Sequence, residues 1–124
     1  MPRFLPVPWF RWKRFRIDGV VRERSSARPL AGFQVRAFDK DAVRDDFLGD
    51  ATTDADGRFA IHFTDAQFKD VVESRPDIYL CIFAPGVDEP VHDTSYAIRE
   101  NASHEEYFEI EVDAEATRPS PVAS

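Results

Sequence analysis

The chain has 124 residues, 43% apolar and 31% charged, the size and make-up of one globular domain with a core of its own. Its one cysteine, Cys81, excludes an intrachain disulfide framework, and no apolar run approaches the roughly 18 residues of a membrane span. The net charge of −7 divides unevenly: the first sixteen residues carry Arg3, Arg11, Lys13, Arg14 and Arg16 and no acid, which leaves a body of −12 that repels phosphates, so nucleic acid is not an expected partner.

In chain order, "MPRFLPVPWFRWKRF" comes first. Pro2, Pro6 and Pro8 forbid a regular helix over its start, so residues 1–14 are expected to form an extended, basic, aromatic arm. Prolines and arginines interrupt any signal-like apolar stretch, and a cytoplasmic location is expected. From Phe15 the pattern has period two. "FRIDGVVRE" places Phe15, Ile17 and Val21 on one face with Gly19 between them. "GFQVRAFD" alternates Phe33, Val35 and Ala37 with Gln34 and Arg36. "GRFAIHF" alternates Phe59, Ile61 and Phe63 with Arg58, Ala60 and His62. Each reads as a half-buried strand. A helix is expected over Asp65–Ser74: Thr64 and Gln67 form a capping box, Phe63 and Phe68 a hydrophobic staple, Phe68, Val71 and Val72 a docking stripe, and Pro76 a stop. "DIYLCIFA" is apolar on both faces and predicts a central strand. "EYFEIEVD" returns to alternation, with Phe108, Ile110 and Val112 inward. Short strands over Leu48–Thr53 and Thr94–Ile98 complete the set, and "AEATRPSPVAS" reads as a flexible tail over 114–124. The fold expected is an all-β sandwich of about seven strands over 15–113, with one short helix between the fourth and fifth.

The order "IDGVV…RPLAGFQVRAFD…FLGDATTDADGRFAIHF" resembles the transthyretin-like and carboxypeptidase-regulatory-like (prealbumin-like) domains. The resemblance covers roughly residues 17–63 and implies a transthyretin-like (immunoglobulin-like) β-sandwich. It does not imply one function, since that superfamily contains carriers, hydrolases and inert modules. Hydroxyisourate hydrolases end in Tyr-Arg-Gly-Ser, whereas this chain ends in "RPSPVAS", and His62, His92 and His104 lie outside that family's motifs. Intradiol ring-cleaving dioxygenases resemble the "PLAG…TTDADGR" stretch but hold iron with two Tyr and two His. Here Tyr79, Tyr96 and Tyr107 form no such cluster with histidines in the sequence. Neither activity transfers on these residues.

Three sets of residues are candidates for function. "DKDAVRDDFLG" is similar to a calcium loop of C2 domains, with Asp39, Asp41, Asp45 and Asp46 as carboxylate ligands for Ca²⁺. The competing reading is a solvated hairpin loop, partly neutralised by Lys40 and Arg44. In "TDADGR" the aspartates read as turn chemistry, with Gly57 at positive φ and Asp54 capping backbone amides. The second set is Trp9, Phe10, Arg11, Trp12, Lys13 and Arg14. It suits a protein partner or an anionic membrane surface, or packing on the chain's own acidic body. The third is catalytic: Cys81 lies mid-strand and the histidines are isolated, so no nucleophile or metal pair is expected. Free sheet edges suggest a homodimer. The expected function is a non-enzymatic protein-binding or adaptor module, its partner unidentified, with no cofactor. The alternatives are a calcium-responsive module and a small hydrolase.

Overall fold

A computed structural model describes residues 13–67 and 75–113. About half of these residues are in strands and almost none in helix, and the strands form two sheets packed face to face. The strands are β1 (Arg14–Glu23), β2 (Gln34–Asp39), β3 (Asp46–Thr52), β4 (Arg58–Thr64), β5 (Ile78–Phe83), β6 (His92–Asp93) and β7 (Glu105–Val112). One sheet has the order β4-β1-β7 and the other β3-β2-β5-β6. Neighbours are antiparallel except β1 and β7, which are parallel. Single-residue bridges at Pro29 and Arg99 raise the β segments to nine, above the number expected.

The period-two reading places the core correctly. Phe15, Ile17 and Val21 of β1 meet Phe59, Ile61 and Phe63 of β4 and Phe108, Ile110 and Val112 of β7 in one buried cluster. Val35 and Ala37 of β2, Leu48 of β3 and Ile78, Leu80 and Ile82 of β5 close it from the other sheet. Each such Val, Leu, Ile or Phe side chain contributes roughly 1.5–3 kcal/mol on burial. Gly19 sits opposite both Phe59 and Phe108. A Cβ there would lie 2.5 Å from the Phe59 ring and 2.5 Å from the Phe108 carbonyl oxygen, so the Phe59 ring occupies the space a side chain would need.

The turn before β4 follows from its aspartate and glycine. Asp54 Oδ1 accepts from the N–H groups of Asp56 and Arg58, both at 2.9 Å, and these bonds hold its carboxyl below the usual range. Gly57 has φ of 74°, the left-handed region in which glycine is unstrained.

Two expectations are corrected. Thr94–Ile98 is not a strand: the edge strand is His92–Asp93, and Ser95–Ala97 is a 3-10 turn. The capping box does form, with the Thr64 N–H donating to Gln67 Oε1 (3.1 Å) and the Ala66 N–H to Thr64 Oγ1 (3.2 Å). It opens a 3-10 turn over Asp65–Gln67, in which the i→i+3 bonding is tighter than in an α-helix. The rest of the expected helix, 68–74, lies outside the described residues, as do 1–12 of the arm and the tail 114–124. No helix among the described residues is long and apolar enough to cross a membrane.

Candidate functional site

Three neighbouring strands present an aromatic face to solvent. Along β2 the core takes Val35 and Ala37 and the outer face takes Gln34, Arg36 and Phe38. Along β5 the core takes Ile78, Leu80 and Ile82, leaving Tyr79, Cys81 and Phe83 outside and half-buried. The β2–β3 register then shifts: Ala37 faces Gly49, but Phe38 faces Phe47. Leu48 is the extra residue of a β-bulge, which reverses the alternation on one side of it. Leu48 enters the core, 3% exposed, and Phe47 is left outside, 49% exposed.

The bulge assembles a ring cluster. Phe38 stacks on Tyr79 with centroids 5.4 Å apart and meets Phe47 edge-on at 5.7 Å, within the range of favourable aromatic pairs. The Arg36 guanidinium lies 5.0 Å from the centroid of Phe83, a cation–π distance. Its Nε is buried with no hydrogen-bond partner among the described residues.

Carboxylates frame one end of this face. Asp39 ends β2 and faces Asp46, which begins β3. Asp39 Oδ1 accepts from the Asp77 N–H at 2.8 Å. Burial pushes the Asp39 carboxyl up to about 6; that hydrogen bond opposes the rise, and the Asp77, Asp46 and Asp41 carboxylates add to it. Asp45 accepts from the Tyr79 hydroxyl at 2.5 Å and from the Asp41 N–H at 3.0 Å, with Lys40 Nζ at 3.7 Å. The Tyr79 hydrogen bond, then the Asp41 N–H, hold the Asp45 carboxyl below its usual range. Burial first, then Asp45, push the Tyr79 phenol up. Asp41 Oδ1 is 3.4 Å from the Val43 N–H, and Val43 at the loop tip is 91% exposed. The four candidate calcium ligands thus share one end of the sandwich, with Asp39 and Asp45 already accepting hydrogen bonds. Among the described residues no group of three or more His, Cys, Asp or Glu is placed to hold a metal ion.

Of the arm, Trp9, Phe10, Arg11 and Trp12 lie outside the described residues. Lys13 and Arg14 already belong to the sheet margin. Arg14 begins β1 opposite Thr64, and the Lys13 N–H donates to Asp65 Oδ1 at 2.9 Å. The groups considered for catalysis are dispersed. Burial, then Asp93, push the Cys81 thiol up, against thiolate formation. His62 lies on the exposed side of β4. His104 stacks on Phe15 at 4.5 Å, with Nδ1 2.9 Å from the Arg14 carbonyl oxygen. His92 stands edge-on to Tyr96. It lines a cleft of about 280 Å³ with Arg22, Arg24 and Arg99. There Arg24 pairs with Glu111 and Asp113, and Arg99 with Glu106.

Sequence reasoning did not single out Phe38, Phe47, Tyr79 and Phe83 as a surface. The signal was present for Phe38, Tyr79 and Phe83, which occupy the off-core phase of β2 and β5; Phe47 is in phase with the core-facing Ala51, and only the bulge turns it outward.

No family model matches the chain, and no curated protein matches it significantly. Among the solved structures that share its fold are two oxygenase chains. A 9R-lipoxygenase from Cyanothece PCC8801 superposes with a TM-score of 0.51 at 21% identity, over 81% of this chain. This chain spans only 17% of the lipoxygenase. The dioxygenase domain of a dioxygenase carbohydrate-binding protein fusion from the cellulolytic bacterium Streptomyces sp. SirexAA-E superposes with a TM-score of 0.51 at 20% identity, over 82% of this chain and 80% of that one. At these identities the likeness is one of fold.

Proposed function

We propose that this chain is a non-enzymatic protein-binding module of transthyretin-like fold, and that the outer face of its four-stranded sheet takes a basic segment carrying aromatic side chains. The Phe38–Phe47–Tyr79 cluster carries the reading. Three rings on a solvent face, bordered by Asp39, Asp45 and Asp46, offer stacking surface and negative charge together. The transthyretin-like assignment rests on the "PLAG" and "TDADGRF" pieces at their spacing in the sequence. The raised Cys81 thiol and the scattered histidines favour binding over chemistry. Calcium at Asp39, Asp41, Asp45 and Asp46 is the lesser reading, because Tyr79, Lys40 and the Asp41 N–H already engage Asp45. An anionic membrane is a poor fit to a face bordered by carboxylates.

Selection from a displayed random peptide library on the full chain tests this. Retained peptides should combine Arg or Lys with Trp, Phe or Tyr, and should be lost on the Phe47→Lys variant. Retention without that composition, or undiminished by Phe47→Lys, sinks the proposal.

A further inference from the structure

The point where residues 1–12 join the sandwich is fixed. Besides donating to Asp65 Oδ1, Lys13 accepts from the Asp65 N–H at 3.1 Å through its carbonyl. Asp65 opens the 3-10 turn that touches both β3 and β4. Those two strands lie on opposite sheets but run side by side. A Cβ built on Gly49 would lie 3.0 Å from Ile61 Cγ2 and 3.7 Å from the His62 carbonyl oxygen. A short turn joins Thr52 to Arg58, so the strands run in opposite directions. Moving from Gly49 back to Phe47 therefore moves toward Thr64 and Asp65. The ring cluster and the root of the N-terminal segment lie at the same end of the molecule.

Length and charge agree with this placement. Residues 1–12, at about 3.3 Å per residue, reach roughly 40 Å. The three rings span three neighbouring strands set about 4.8 Å apart. Trp12, Phe10 and Trp9 stand one, three and four residues from Lys13, so the segment's largest aromatic groups are close in sequence to its root. Its charges, Arg3 and Arg11, are basic, and the loop beside the rings carries Asp39, Asp41, Asp45 and Asp46 against Lys40 and Arg44.

We propose that residues 1–12 dock on the aromatic outer face of the same molecule, with Trp9, Phe10 and Trp12 against Phe47, Phe38 and Tyr79 and the arginines toward the acidic loop. This rests on the reading of that face as a site for basic aromatic segments and names its resident occupant. A partner segment then binds by displacing the chain's own. An intramolecular ligand acts at a high effective concentration, so it sets a threshold affinity for any competitor.

The chain's two tryptophans both lie within residues 1–12, so intrinsic tryptophan emission reports on this segment alone. In the full chain the emission should be blue-shifted from that of a synthetic peptide of residues 1–12, and several-fold less quenched by acrylamide. Both properties should be independent of protein concentration. Phe47→Lys should return them to the peptide's values with the far-ultraviolet circular dichroism unchanged; Phe47→Ser serves if the lysine variant does not fold. Wild-type emission equal to the free peptide's overturns the proposal. So does a blue shift that survives both substitutions, or one lost on dilution, which assigns the segment to a second copy. Solvent-exposed tryptophans with successful peptide selection remove this inference and leave the binding reading standing. Buried tryptophans released by Phe47→Lys with no peptides selected do the reverse.

Discussion

Asp39 is the residue on which the acidic end is most finely balanced. Its carboxyl is raised from 3.8 to about 6, chiefly by burial. A folded-state value above the unfolded one means that the native state holds the proton more tightly. The stabilisation is full below pH 4 and is lost as pH rises through about 6. At neutral pH the ionised Asp39 therefore costs stability, on the order of 1 kcal/mol once solvent screening is allowed for. Asp39→Asn keeps an acceptor for the Asp77 N–H. It should raise Tm at pH 8 and give no gain at pH 4; a gain of equal size at both would remove burial of charge as the cause. Thr53 is the opposite case, a buried polar group fully used. Its Oγ1 accepts from the Phe33 N–H at 2.9 Å and donates to the Leu30 carbonyl at 2.6 Å. Thr53→Val strands both backbone groups and should cost about 1–3 kcal/mol in chemical denaturation.

Among the elements, β3 decides what the outer face is. The bulge at Leu48 makes two adjacent residues, Leu48 and Phe47, differ completely in environment. Leu48→Lys buries a charge and should destabilise by about 3 kcal/mol or more. Phe47→Lys should change stability by about 1 kcal/mol or less, since lysine is tolerated on an exposed edge strand. Urea denaturation of the two variants checks the register directly: equal losses would mean that the bulge is absent. The β3–β4 turn is the most locally determined element. Gly57→Ala would place a Cβ 2.6 Å from the Val21 carbonyl oxygen at φ of 74°. It should lower Tm well beyond the effect of a surface substitution.

At the scale of the molecule, charge is segregated: a basic first sixteen residues and a body of −12. If the acidic loop serves as turn and docking rim, millimolar Ca²⁺ should leave Tm unmoved. A cation bound only by the folded state would raise it by mass action, and a rise abolished by Asp39→Ala with Asp41→Ala would restore the calcium reading.

The sandwich was legible because inward positions repeat every second residue through Phe15–Val21, Phe59–Phe63 and Phe108–Val112, and because Asp54 and Gly57 encode their turn locally. Capping at Thr64 was equally local, and it opens the 3-10 turn over Asp65–Gln67; the rest of the expected helix lies outside the described residues. The 94–98 segment misled because period two is common to short strands and to irregular edges. The ring cluster was the least visible feature. Apolar residues on both phases of "DIYLCIFA" identify a central strand without saying whether anything covers its second face. By itself the sequence determined the inward phase of β1, β2, β4 and β7, where apolar and polar residues alternate. Only the tertiary structure decided that Phe38, Phe47 and Tyr79 meet beside the acidic loop. Their meeting depends on a one-residue bulge and on which strands become neighbours, and both are set by packing of the two sheets rather than by any local run of residues.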